Sequence, residues 1–521
     1  MEDRLKKLYI EITKDRGKPL DFWEISALLE IYGIRDIDAK NEYGFKDVFD
    51  MAQHLEKYKD TISYESKALT EFEKAPPVVV RVVRNYFKGL AFAMPMLVQI
   101  FFTLAIGYAI WSGLNMDKTK ATVIAMGTFL ALLVSGGAAQ AIGRKGLFYL
   151  KQQEYILASI VTKSLLKVAL IVMFIVGVIL IFMNSFFEIL PSYYFFILIM
   201  FYFLLTILFL NIAVFQMFEE YYTIMWFFII GMVFVYFFHI LQGIGLPEAQ
   251  FYALIVLNLL VTIYTIYRLK KLEKVSIGEG ETAPRWSIMF FTLIPFYIYG
   301  FLYFIFLIAD RVIAWSTNRV GKPYFIWFDV PYEVGVDWAL IVLILLMGMA
   351  EVSIYEFIYR VNDNIVKFPY YEYKKFNYTL KDDFYRRFNL LYFIFSIFII
   401  VFVYFFIKFL YFEFHIHFLE NFFQSYSPYV YWYAAIGYAF LVHALINVLF
   451  IFSFSRQMFA VNSITMAVIF NIIFGIILSR TISLEYAVYG LLVGAIVFWF
   501  YSFKYALKMF NRLEFYYYSA I

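Results

Sequence analysis

Ionisable side chains are rare inside the long apolar stretches of this 521-residue chain, so the few that occur there are the first candidates for chemistry. Lys163 and Lys167 fall in the third stretch and Asp310 and Arg311 late in the seventh. Glu351, Glu356 and Arg360 lie in the eighth, and Lys408 late in the ninth. A charge in hydrocarbon is costly, so it faces a bundle interior or water and marks a binding site or ion pathway. Lys163, Lys167, Arg360 and Lys408 stand near stretch ends, where a long aliphatic stem carries the charge to the interface. Glu356 and Arg360 are four apart with the acid first, the order that forms an ion pair along a helix. Glu351 is the deepest and is the residue most expected to take part in function. Gln140, Asn211, His239, Asn258, His443, Asn447 and Asn471 add neutral polar groups, most of them expected to hydrogen-bond between helices. His443 and Asn447, four apart on one helical face, are expected to line a cavity with Glu351. The candidate substrate or ion pathway is thus Glu351, Glu356, Arg360, Asp310, Arg311, His443, Asn447, Gln140, Lys163 and Lys167. A polar, mixed-charge interior of this kind suits a sugar-bearing substrate.

Other chemistries find little support. The chain has no cysteine, which removes disulfides, thiolate metal sites and cysteine nucleophiles. Gly278-Glu279-Gly280-Glu281-Thr282 lacks the lysine and spacing of a phosphate-cradling loop. A membrane glycosyltransferase with a lipid-linked donor wants an acidic cluster in its first outer loop, and Gly113 to Lys120 offers only Asp117. Glu413, His415 and His417 alternate as strand metal ligands would, but read better as interfacial side chains. No catalytic residue, metal site or cofactor is expected, and no nucleic-acid partner. The 64 phenylalanines and 45 tyrosines read as lipid-facing and interfacial aromatics.

Positioning these residues falls to about a dozen apolar stretches, because crossing a bilayer core takes about 20 helical residues. With 63% hydrophobic residues and a mean hydropathy of +0.72, the chain reads as an all-α polytopic membrane protein. The expected spans are 89–112, 120–142, 157–183, 190–213, 222–243, 247–267, 287–313, 336–360, 388–412, 429–453, 458–479 and 483–510. Basic residues concentrate in alternate loops, which puts both termini in the cytoplasm by the positive-inside rule. The polar break from Arg268 to Trp286 divides the helices six and six. Pro95 in the first helix, ending Ala109-Ile110-Trp111-Ser112, is echoed by Pro295 in the seventh, ending Ile313-Ala314-Trp315-Ser316, as in parallel repeats. The expected division is a cytoplasmic helical domain at 1–85, a six-helix lobe at 86–268, a cytoplasmic linker at 269–286, a second six-helix lobe at 287–512 and a tail at 513–521. The amino terminus opens with charges and no apolar core, so no cleavable signal peptide is expected there. Its short helices are predicted from Leu5, Leu8 and Ile12, then Trp23, Ile25, Leu28 and Leu29, then Val48, Met51 and Leu55, with Arg81, Arg84 and Lys88 joining them to the first span.

Several segments resemble a known family. Leu133-Val134-Ser135-Gly136-Gly137 running to Gln140, then Gly143-Arg144-Lys145 and Glu154-Tyr155-Ile156-Leu157, are similar to the second and third helices of Pel-type exopolysaccharide transporters. That family lies within the multidrug, oligosaccharidyl-lipid and polysaccharide (MOP) flippase superfamily. Ala309-Asp310-Arg311 to Trp315 resembles its acidic-basic pair followed by a tryptophan, and Asp329-Val330-Pro331 its entry to the eighth helix. Met349-Ala350-Glu351 through Glu356, and Tyr370-Tyr371-Glu372-Tyr373, resemble its acidic eighth helix and following loop, with the glutamate out of register. The resemblance implies two six-helix lobes around a central cavity. It further implies export of a polysaccharide or lipid-linked glycan across the bacterial plasma (inner) membrane, with a cytoplasmic glycosyltransferase or another synthesis subunit as partner. The amino-terminal domain departs from the family pattern. The leading expectation is therefore a non-enzymatic glycan translocator working by alternating access. A cation-coupled small-molecule exporter, an integral-membrane polymerase or ligase, and a scaffold for a glycosyltransferase remain open alternatives.

Overall fold

The computed structural model describes residues 2–13, 19, 21–59, 76–113, 116–275, 285–317, 327–368, 370–414 and 422–519. Four short helices open the chain: α1 (Glu2–Thr13), α2 (Phe22–Ile31), α3 (Asp36–Tyr43) and α4 (Val48–Leu55). Asp21 and Asp47 start α2 and α4 by accepting from the backbone N–H groups of Glu24 and Asp50, which satisfies donors that a helix start leaves open. Gly44 ends α3 at φ 74°, a left-handed geometry that glycine reaches without a Cβ clash. Leu5, Ile12, Ile25, Leu29, Met51 and Leu55 close into one small core with Tyr9, as their periodicity predicts. Trp23 does not join them, because its ring lies on the surface against Phe49. The third of these helices, Asp-Ile-Asp-Ala-Lys-Asn-Glu-Tyr, has no apolar stripe to announce it.

Among the described residues twelve helices are long and apolar enough to cross a membrane, so this is a multi-pass membrane protein. They are α5 (Val78–Ile106), α6 (Lys118–Lys151), α7 (Tyr155–Phe187), α8 (Ser192–Met217), α9 (Tyr221–Tyr236), α10 (Leu246–Val275), α11 (Trp286–Thr317), α12 (Val330–Lys367), α13 (Arg387–Phe414), α14 (Ser427–Ser453), α15 (Gln457–Thr481) and α16 (Val488–Phe510). A last short helix, α17 (Leu513–Tyr518), follows. Many of them outrun their apolar cores. Hydropathy stops where the bilayer stops, but backbone hydrogen bonding continues until a cap or breaker ends it. Asp117 caps α6 through the N–H groups of Thr119 and Lys120, and the helix then runs to Lys151. This puts Arg144 and Lys145, expected in a loop, inside a helix. Asp329 caps α12 through the Tyr332 N–H, with Pro331 in the first turn, where its missing donor is not needed. Helix α12 therefore begins well before the expected 336.

Pro95 and Pro295 do lie inside α5 and α11, but the tryptophan echo does not hold. Gly107, at φ 86°, ends α5. Ala109 to Ser112 then form a turn, closed by the Ala109 N–H donating to the Ser112 carbonyl at 2.8 Å. Trp315, by contrast, is within α11.

As sets, helices α5–α10 and α11–α16 pack mainly within themselves, giving two six-helix lobes, although α5 meets α12 more than any helix of its own lobe. Two helix pairs carry the main contacts between lobes, α6 with α11 and α5 with α12. The side holding Val78, Lys151, Trp286 and Lys367 is called here the basic side, and the other the far side.

Candidate functional site

The most concentrated charge in the second lobe sits where α11 meets the start of α12. Because Asp329 and Pro331 set the first turn of α12, Glu333 and Asp337 fall four apart and so share a face. Opposite them α11 presents Asp310, Arg311 and Trp315. Arg311 donates to Glu333 Oε2 at 2.6 Å and to Asp337 Oδ1 at 3.2 Å. The Trp315 indole donates to Glu333 Oε1 at 2.9 Å, and the Tyr332 hydroxyl to Asp310 Oδ2 at 2.9 Å. Asp310 is 0% exposed, and its second carboxyl oxygen has no hydrogen-bond partner. Tyr438 of α14 is buried in the same cluster. Three carboxylates thus face one guanidinium. In a low-dielectric interior such an imbalance is costly unless a proton or bound cation offsets it.

The cluster is buried at one end and exposed at the other. The Asp337 side chain is 53% exposed against 5% for Glu333. Asp337 precedes Gly348 by three turns and lies on the same face of α12. At Gly348 that face is closed by the first lobe: a Cβ on Gly89 of α5 would stand 2.9 Å from the Gly348 Cα. The space between lobes is therefore shut at Gly348 and open at Asp337.

Ion pairs hold the shut end. Arg81 of α5 donates through Nε and Nη2 to the two Glu356 oxygens at 2.9 and 3.0 Å, and its guanidinium also lies 4.0 Å from the Tyr359 ring centre. Lys88 reaches Glu351 at 3.0 Å and Glu219 at 3.6 Å. Glu219, held at φ 58° in the α8–α9 turn, also meets Lys151 at 3.5 Å. The Tyr86 hydroxyl donates to the Leu345 carbonyl at 3.0 Å.

Along the other seam, Gly136 and Gly137 of α6 meet Gly300, Tyr297 and Phe304 of α11, since only small residues let two helix backbones approach so closely. Gln140 sits at this crossing. Farther out, Phe129 stacks on Trp315, 5.2 Å between ring centres.

The structure regroups the sequence candidates. Asp310 and Arg311 belong to the α11–α12 cluster, while Glu351 and Glu356 belong to the shut end between lobes. Glu356 is not paired along its own helix as its spacing suggested: it turns to Arg81 on α5, and Arg360 is exposed. Lys163 pairs with Glu273 at 2.5 Å inside the first lobe, and Lys167 is exposed on α7. Neither reaches the space between lobes. His443 and Asn447 do not line a cavity with Glu351. His443 contacts Asn389 and lies among the rings of Tyr392, Phe393 and Trp499. Asn447 accepts from the Tyr385 hydroxyl at 2.8 Å and donates to Ser502 at 3.3 Å. Both knit α14 to its neighbours within the second lobe. His415 and His417 lie outside the described residues, as does Gly278 to Thr282, and no acidic or imidazole cluster able to hold a metal occurs among the described ones.

Sequence reading missed Glu333 and Asp337, and took Arg81 and Lys88 for linker residues. The signals were local. Asp329-Val330-Pro331 marks an earlier start for α12, and Arg81, Asn85 and Gly89 repeat every four residues behind Pro77.

No protein-family model matches the chain, and no curated protein matches it in sequence. Its two-lobed helical fold nonetheless has solved counterparts. It is similar to a multidrug resistance MATE family transporter of the MOP superfamily in an inward-facing conformation, with a TM-score of 0.56 and 11% identity over 84% of this chain and 99% of that one. A MATE in the straight conformation gives 0.55 and 13% over 83% and 96%. An outward-facing MATE family transporter of the same superfamily gives 0.51 and 13% over 85% and 98%. The likeness is one of fold alone. It does not extend to the Pel-type branch, which rests on residue resemblance alone.

Proposed function

We propose that this protein is an exporter working by alternating access, with cation-coupled export of amphipathic small molecules as the leading reading. The observation that carries it is the α11–α12 cluster, whose excess of carboxylates opens through Asp337 toward the space between lobes. A proton taken up there drives transport only if it binds one state of the lobes more tightly than the other. The solved neighbours of this fold include both inward- and outward-facing forms. An apolar groove of about 290 Å³, lined by Leu133, Ile305, Ile308, Ala309, Val312 and Ile472, gives a lipophilic substrate part somewhere to sit. In this reading the basic side is cytoplasmic and the membrane is the bacterial plasma membrane.

Export of a polysaccharide or lipid-linked glycan is the second reading, favoured by the residue resemblance at Asp310-Arg311 and Glu351. Proteoliposomes decide between them. A fluorescent lipophilic cation moved in response to a proton gradient supports the first, and its movement is expected to stop in Asp310→Asn. A fluorescent polyprenyl-phosphate sugar translocated instead would replace the first reading with the second. Movement of neither would sink the exporter reading and favour a scaffold.

A further inference from the structure

We propose that Arg144 and Lys145 bind a phosphate-bearing head group at the basic-side mouth of the α6–α11 seam; the proposal rests on the exporter reading only for its role in substrate entry. Several other cations of the bundle, buried or half-buried, have carboxylate partners: Arg81 with Glu356, Lys88 with Glu351, Lys163 with Glu273, and Arg311 with Glu333, whereas Arg144 is exposed and Lys145 half-buried. Arg144 and Lys145 have none among the described residues, and face rings instead. The Arg144 guanidinium lies 5.5 Å from the centre of Phe296 on α11, and the Lys145 ammonium 4.7 and 4.9 Å from Phe148 and Tyr149. Aromatic faces attract a cation without neutralising it, so both charges remain available to an anion.

The two helices of the seam supply no acid here and leave room. Neither α6 from Gly136 to Lys151 nor α11 from Trp286 to Ala309 contains an aspartate or glutamate. The seam is pinched at Gly136 and Gly137, where a Cβ would run into α11. Two turns toward the basic side the situation reverses: a Cβ on Gly143 would meet nothing within 4 Å. Arg144, the next residue, stands about 12 Å along the axis from Gly136. A planar guanidinium beside an ammonium, at the mouth of an acid-free cleft between lobes, matches a phosphate, which Arg grips through two hydrogen bonds. A membrane lipid head group and free phosphate share that chemistry.

The test is equilibrium binding to the full-length purified protein, read by native mass spectrometry without any transport step. The probes are short-chain phosphatidylglycerol and inorganic phosphate. Arg144→Gln and Lys145→Gln are each expected to weaken phosphatidylglycerol binding about tenfold, the worth of one charged hydrogen bond. Arg144→Lys, which keeps the charge and loses the fork, should fall between. Arg285→Gln, a cation at the start of α11, should change binding less than twofold. Competition by millimolar inorganic phosphate would assign the site to free phosphate, and absence of competition to a lipid head group. Unchanged binding in Arg144→Gln, or an equal loss in Arg285→Gln, would overturn the site and show only general attraction to a basic surface. Matched melting temperatures exclude misfolding, and a variant that binds but does not transport counts against the exporter reading alone.

Discussion

Arg81 and Glu356, 275 positions apart, meet through two hydrogen bonds with their side chains 7% and 8% exposed, tying the first helix of one lobe to the second helix of the other. Removing one member of a buried pair leaves the other uncompensated, at about 3–5 kcal/mol, whereas removing both is far milder. Arg81→Ala and Glu356→Ala should each lower the melting temperature of the purified protein more than the double variant does. Additive losses would show that the pair is not coupled.

The glycine contact beneath this pair can be tested directly. Gly89→Ala places a methyl 2.9 Å from the Gly348 Cα, against backbone that cannot move aside, and such overpacking costs about 1–3 kcal/mol. The expected result is a shut end that no longer closes. Since the chain has no cysteine, a single cysteine at Leu345 reports this as faster labelling by a membrane-impermeant maleimide. Gly143→Ala, facing open space, should label as the parent does.

In the α11–α12 cluster, sign matters more than size. Arg311→Ala leaves Glu333 and Asp337 without their shared cation and should destabilise by about 3–5 kcal/mol, read as a drop in melting temperature. Asp310→Asn removes one of the excess charges instead. It should fold as well as the parent but lose the stabilisation that added protons give the parent. Retained cation stabilisation in Asp310→Asn would remove that residue from coupling.

Asn447 separates structure from transport. Asn447→Ala leaves the buried Tyr385 hydroxyl without its acceptor, costing about 1–3 kcal/mol. Stability should fall while cation dependence of transport is unchanged. An altered cation dependence would return this residue to the pathway.

Outside the membrane helices, the Arg35 side chain and backbone N–H hold the half-buried Asp38 carboxyl below its ordinary range. A depressed folded value means the contribution to stability is present above the ordinary carboxylate pKa and lost as pH falls through the folded one. Carbon-detected NMR titration of Asp38 should show a midpoint below about 3.9, returning toward it in Arg35→Ala.

Much of the architecture is legible in the order of residues. Apolar stretches of bilayer length give the twelve helices, because hydrophobic burial is local and additive along the chain. Two proline-bearing helices and one polar break give the two lobes, and Asp310-Arg311 stands out because charge in hydrocarbon is conspicuous wherever it occurs. What the tertiary structure alone decided is who meets whom. Glu356 had a suitable partner four residues away and took one 275 residues distant. His443 and Asn447 share a face, yet that face looks into their own lobe. Glu333 and Asp337 drew no notice near a helix end until α12, capped earlier than its hydropathy implied, turned them toward Arg311. Helix formation is set by neighbours in sequence, whereas the partner of a buried charge is set by how two lobes pack, which no local pattern records.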